Sequence, residues 1–132
     1  MMENQVFVNG CFDILHSGHI KLLRTAKKFG HVLVAIDSDN RVKLLKGNNR
    51  PINTAYKRFE MLMSLKYVDN VVIFNSDEDL EQIIKTYAPD VMVKGADYEG
   101  KPIIGSKYCN LIYFIDLTDD STTKIIERIS NR

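Results

Sequence analysis

VFVNGCFDILHSGHI, residues 6–20, decides the reading of this chain. Val6, Phe7 and Val8 form a short apolar run that breaks at Gly10. Cys11, Phe12 and Asp13 follow, and His16-Ser17-Gly18-His19 stands where an amphipathic pattern begins. A strand that passes through a glycine turn into a helix N-terminus makes an anion site, because free amides and the positive end of the helix dipole face the same point. Two imidazoles three residues apart, with a glycine between them, are set into that site.

The pattern outward from this stretch is regular. Gly18 to Phe29 carries apolar Ile20, Leu22, Leu23, Ala26 and Phe29 between basic residues, which predicts a helix closed by Gly30. His31–Ile36 reads as a second strand, followed by Asp37-Ser38-Asp39 as the cap of a short helix through Val42 and Leu45. A polar turn with Lys46, Gly47, Arg50 and Pro51 comes next. Asn53 or Thr54 caps a helix whose inner face is expected at Phe59, Leu62, Met63 and Leu65. Strands at Val71–Phe74, Val91–Val93 and Leu111–Ile115 alternate with helices that start at Ser76 and Ser121. Continuous apolar strands alternating with helices predict one α/β domain over residues 1–132, a Rossmann-like doubly wound sheet of about five parallel strands. Loops at the carboxyl edge of such a sheet hold its ligands.

Composition narrows the function. At 132 residues the chain suffices for one core. A net charge of +1 gives no electrostatic case for nucleic acid or an anionic membrane as partner. No apolar run is long enough to span a bilayer, and the start MMENQ has no signal-peptide pattern, so a cytoplasmic setting is expected. Cys11 and Cys109 form no CxxC pair, and Cys11 reads as a small loop residue. The third histidine, His31, opens the second strand, away from His16 and His19, so no zinc set is expected. The glycines match neither GxGxxG nor GxxxxGK[ST], so they support neither a dinucleotide-binding oxidoreductase nor a P-loop ATPase.

GCFDILHSGHIKLL resembles the signature of the HxGH nucleotidyltransferase superfamily, in its cytidylyltransferase-like branch. The likeness continues through Lys46-Gly47, Arg50-Pro51-Ile52-Asn53, Val93-Lys94-Gly95-Ala96-Asp97-Tyr98, Gly105-Ser106-Lys107 and Ser121-Thr122-Thr123. Together these are most similar to the heptose 1-phosphate adenylyltransferases. The resemblance implies a fold of the HUP/nucleotidyltransferase type and transfer of a nucleoside monophosphate, AMP from ATP, to a sugar phosphate with release of pyrophosphate. The alternative within the class is a CTP-dependent enzyme acting on glycerol 3-phosphate or a similar polyol phosphate. Such enzymes carry an arginine-led RTEGISTT segment, whereas this chain reads Asp116-Leu117-Thr118-Asp119-Asp120-Ser121-Thr122-Thr123. From another class, an inactive nucleotide-binding or assembly module is the rival.

The resemblance assigns roles residue by residue. His16, His19 and Lys46 are the expected catalytic groups, each histidine most useful as a donor and expected to show a raised pKa with ligand bound. Gly10, Cys11, Phe12, Ser17, Gly18, Gly95, Asp97, Ser121, Thr122 and Thr123 are the expected nucleotide contacts. Asp13, Arg50 and Lys94 are assigned to the acceptor, with a structural role favoured for Asp13. Mg²⁺ is expected to arrive with the triphosphate, without dedicated protein ligands. A homodimer and a separate sugar kinase that supplies the acceptor are further implications.

Overall fold

The computed structural model describes residues 3–117 and 121–131. Thr118, Asp119 and Asp120, part of the segment that departs from the RTEGISTT pattern, lie outside the described residues. Five parallel strands form one sheet: β1 (Asn4–Gly10), β2 (Gly30–Asp37), β3 (Asn70–Phe74), β4 (Val91–Gly95) and β5 (Leu111–Ile115), in the order β3-β2-β1-β4-β5. The helices are α1 (Ser17–Phe29), α2 (Asp39–Lys46), α3 (Ala55–Met63), α4 (Asp77–Tyr87) and α5 (Thr122–Ser130). The chain winds outward from β1 to β3, then returns to place β4 on β1's other side. That reversal opens a crevice at the carboxyl ends of β1 and β4, where open α/β sheets take their ligands.

Alternation along the strands builds two cores. Val6, Val8, Val32, Val34 and Ile36 face Leu22, Leu23 and Ala26 of α1 and Leu62 of α3. Phe7, Leu33, Ala35 and Met92 face Leu80 and Ile84 of α4. Burial on both faces explains why the strands read as unbroken apolar runs. Ser38, Thr54, Ser76 and Ser121 each cap a helix, accepting from the amide three residues on.

The expectation for α3 needs correction. Met63 is 40% exposed, while Arg58 on the same helix is buried. On α2, Val42 is buried while Leu45 is 64% exposed. Periodicity finds the apolar stripe but cannot foresee that a guanidinium with carbonyl partners outcompetes a methionine for the interior. Among the described residues no helix is long and apolar enough to cross a membrane.

Candidate active site

The turn after β1 is built tightly. Phe12 is buried with φ +52°, a left-handed backbone that a bulky residue adopts only when its surroundings hold it there. Gly10 makes room: a Cβ there would stand 3.1 Å from the Phe12 ring. The Phe12 ring in turn lies 4.8 Å from that of His19. Asp13 then anchors the next loop. Its fully buried carboxylate accepts from the amides of Ile52 and Asn53, both at 2.8 Å, and from Arg50 Nε at 3.1 Å. Asn53 Nδ2 returns a bond to the Asp13 carbonyl at 2.9 Å. Both Asp13 oxygens are thus engaged by the loop, the structural role favoured from sequence rather than an acceptor contact.

The two histidines cap α1 reciprocally. His16 Nδ1 accepts from the Gly18 amide at 3.1 Å, and His19 Nδ1 accepts from the His16 amide at 3.3 Å. Their rings stack with centroids 3.8 Å apart. An imidazole that accepts at Nδ1 must carry its proton on Nε2 when neutral. The helix start therefore fixes the tautomer of both rings, with the proton of the neutral form on Nε2. Capping and ligand binding use different nitrogens, so one role does not exclude the other. The Gly18 amide, expected to meet phosphate, is taken up by His16.

Burial pushes His19 down to about 4, with the neighbouring His16 and Lys46 acting the same way. In the free protein His19 is a neutral donor at pH 7. The linkage has a definite sign. The unfolded chain takes up a proton near pH 6.5 that the folded chain refuses until about pH 4. Stability is therefore full above this window and falls as pH drops through it. His19→Asn, which keeps an oxygen acceptor for the cap but does not titrate, is expected to flatten the acid limb. Melting temperatures of the two proteins between neutral and acidic pH test this; parallel curves would refute it.

Three hollows meet at this turn. The first, about 200 Å³, lies between the histidines, Lys46, Arg50, Ser121 and Thr123. Its polar end is notable for Arg50, whose Nη2 is buried without a partner among the described residues, while Nε holds Asp13. The second, about 360 Å³, is walled by Leu22, Val93, Gly95, Asp97, Tyr98 and Leu117. The third, about 320 Å³, runs toward β2 between Asp37, Arg41, Phe74, Lys94 and Ile103. Cys11 lines all three, Lys46 joins the first to the third, and Lys94 and Tyr98 join the second to the third.

The expected residues divide accordingly. Thr122 is buried, its hydroxyl donating to the Ile14 carbonyl at 3.0 Å, so it fastens α5 to the histidine loop. Thr123 Oγ1 stands 3.5 Å from Arg50 Nη1. Lys94 Nζ donates to Asn9 Oδ1 at 3.0 Å and sits 4.6 Å from the centre of the Tyr98 ring. Burial lowers its pKa, opposed by the carboxylates of Asp37 and Asp97. At Gly95 a Cβ would come within 2.6 Å of Asp97 Oδ1, so the glycine admits that carboxylate. Burial raises the Cys11 thiol pKa, in keeping with a small loop residue. Ser17 is exposed, and neither it nor Gly18 lines a hollow. Sequence reading missed Arg58, Arg41 and the site-lining role of Asp37. The Asp37/Arg41 spacing of four, at a helix start, was a signal that could have found the latter two.

A family model described as cytidylyltransferase-like matches residues 7–128, which include every element of the site. The chain belongs to the cytidylyltransferase-like family. This cytidylyltransferase-like domain is 52% identical over 129 residues to the bifunctional protein HldE of Campylobacter fetus subsp. fetus, covering 96% of this chain and 28% of that protein. It is 51% identical over 126 residues to the bifunctional protein HldE of Nitratiruptor, covering 94% and 27%. The chain thus spans little more than a quarter of these relatives' length. Among solved structures, the lipopolysaccharide core biosynthesis protein of Thermoplasma volcanium superposes with a TM-score of 0.71 at 27% identity, covering 88% of this chain and 98% of that one. The pantothenate synthetase of Thermus thermophilus shares the fold alone, with a TM-score of 0.62 at 12% identity over 91% of this chain and 58% of that one.

Proposed function

We propose that the domain transfers a nucleoside monophosphate, AMP from ATP, to a sugar phosphate of the heptose 1-phosphate type and releases pyrophosphate. The observation that carries this reading is the convergence of three hollows on one corner at Cys11. Substitution at an α-phosphorus involves three bodies: a nucleoside, a departing pyrophosphate and an incoming phosphate opposite it. In this reading the hollow beside Gly95 and Asp97 takes the nucleoside. The hollow between His16, His19, Arg50 and Thr123 takes the β- and γ-phosphates. The hollow toward β2 takes the acceptor. Lys46, at the junction of the last two, bridges attacking and leaving phosphates as a mobile point charge.

The chemistry needs little from the protein beyond charge and position. An acceptor phosphate is largely dianionic at pH 7, because its second pKa lies near 6. No general base is required, which suits a His19 held neutral by burial. The acceptor oxygen forms the new bond to the α-phosphorus while the bond to the β-phosphate oxygen breaks. Both Nε2–H groups donate to phosphate oxygens as charge shifts toward pyrophosphate. The unpartnered Arg50 Nη2 gains an anion. Thr122 and Asp13 position the walls without touching ligand. Mg²⁺ enters as part of the nucleotide substrate. Among the described residues no group of three or more metal-type side chains gathers, and the one carboxylate lining the phosphate hollow, Asp13, is already engaged.

Pyrophosphate release, measured with ATP and with CTP against heptose 1-phosphate and glycerol 3-phosphate, tests the reading. Release is expected with ATP and the heptose phosphate. Release only with CTP and the polyol phosphate would replace it with the cytidylyl alternative. Nucleotide binding with no release for any pair would make the domain a binding module.

A further inference from the structure

Asp37 occupies an unusual position. It ends β2, paired in register with Phe74 of β3. Its carbonyl accepts from buried Arg58 at 2.7 Å, so its backbone is fixed. Its Oδ2 accepts from Arg41 Nε at 3.0 Å, and Arg41 Nη2 bonds to Asp77 at 2.7 Å while the guanidinium lies over the Phe74 ring at 5.1 Å. Arg41 is thereby held from two sides and holds one oxygen of Asp37 in turn. Among the described residues no donor is bonded to the other oxygen, Oδ1. Asp37 lines the third hollow together with Lys94, whose ammonium feels its charge.

An ionised carboxylate only accepts hydrogen bonds, so it recognises donors and repels phosphate. The hollow is thus polarised: cations Lys46 and Lys94 toward the junction, a carboxylate with one open oxygen toward β2. A ligand bearing phosphate at one end and hydroxyls at the other fits it in one orientation. An ammonium at the far end would meet the Arg41 guanidinium as well as Asp37, which favours neutral donors. Phe74 and Ile103 supply apolar wall for the C–H faces of a polyol.

We propose that Asp37 is a specificity-determining residue, its Oδ1 accepting a hydrogen bond from a hydroxyl of the acceptor, with Arg41 as its positioning residue. The inference rests on the acceptor assignment above. It makes the domain a reader of hydroxyl placement, not only of phosphate.

The test measures binding directly, by calorimetry, with a non-hydrolysable ATP analogue filling the nucleotide hollow. The probes are heptose 1-phosphate, a set of its monodeoxy analogues, and phosphoethanolamine, each against the wild type and Asp37→Asn. One deoxy analogue is expected to bind the wild type roughly tenfold to a hundredfold more weakly than the parent, the span of a hydrogen bond to a charged group. The variant is expected to bind parent and analogue alike, with ATP-analogue affinity unchanged. The proposal is overturned if the wild type binds every analogue as well as the parent, if the variant still discriminates, if phosphoethanolamine is the ligand that depends on Asp37, or if no hydroxylated phosphate binds. Asp37-dependent discrimination without pyrophosphate release would leave the proposal standing and remove the transferase reading instead.

Discussion

His16→Asn and His19→Asn are each expected to keep the fold and lose turnover by roughly a hundredfold to a thousandfold, the effect of removing one donor aimed at developing charge. The choice of asparagine matters. Its side-chain oxygen lies near the position of imidazole Nδ1, so it can still accept from the Gly18 or His16 amide that each ring now serves. It has nothing at the position of Nε2. The substitution therefore separates the cap from the donor. Alanine removes both, and is expected to add about 1 kcal/mol of destabilisation for the lost cap.

Glutamine supplies the complementary control. Its amide nitrogen reaches toward the Nε2 position while leaving the helix start without an acceptor. His16→Gln is expected to retain more turnover than His16→Asn and to melt lower. Steady-state pyrophosphate release and thermal unfolding, measured on the same preparations, check both orders. Wild-type kcat in both asparagine variants would show that the rings serve only the helix, and the phosphate assignment would fall with them.

Much of this arrangement could be read before any fold was known, for a physical reason. The strands are buried on both faces, so their apolar runs are continuous, and each helix start carries a hydroxyl or imidazole acceptor that local bonding requires. Such features depend on neighbours within about one turn of chain. The positions of His16, His19 and Ser121 follow in this way from a helix start, whereas Lys46, the last residue of α2, is reached through the resemblance. What was not legible depends on partners remote in sequence. For Asp13 the sequence favours a structural role, but its partners, the amides of Ile52 and Asn53, lie about 40 residues on and cannot be named from it. Thr122 looks like a phosphate ligand until its hydroxyl meets Ile14 across 108 residues. Gly95 looks like space for a ligand, yet the nearest atom to its missing Cβ belongs to Asp97. Arg58 looks like the solvated face of α3, and Met63 like its core.

Arg58 carries the second large effect. Its side chain is fully buried, and its nitrogens donate to the carbonyls of Cys11 at 3.0 Å, Asp37 at 2.7 Å and Asn53 at 3.0 Å and to Asp39 Oδ1 at 2.8 Å. One residue thus joins the ends of β1 and β2, the 47–54 loop and the start of α2. Two of those carbonyls belong to residues that line the third hollow, toward β2. Replacing a buried ion pair wholesale can be neutral, but removing one member strands the rest. Arg58→Met keeps apolar bulk and leaves three carbonyls and a carboxylate without this donor. The expected loss is about 3–5 kcal/mol, since three carbonyl oxygens lose their donor at about 1–3 kcal/mol each. Arg58→Lys keeps the charge, but a single ammonium cannot span four acceptors in a fixed fork, so it is expected to fall between wild type and Met. Urea unfolding gives the order; an Arg58→Met protein within about 1 kcal/mol of wild type would mean that water satisfies those carbonyls, and that the strand ends around the site are held by packing alone.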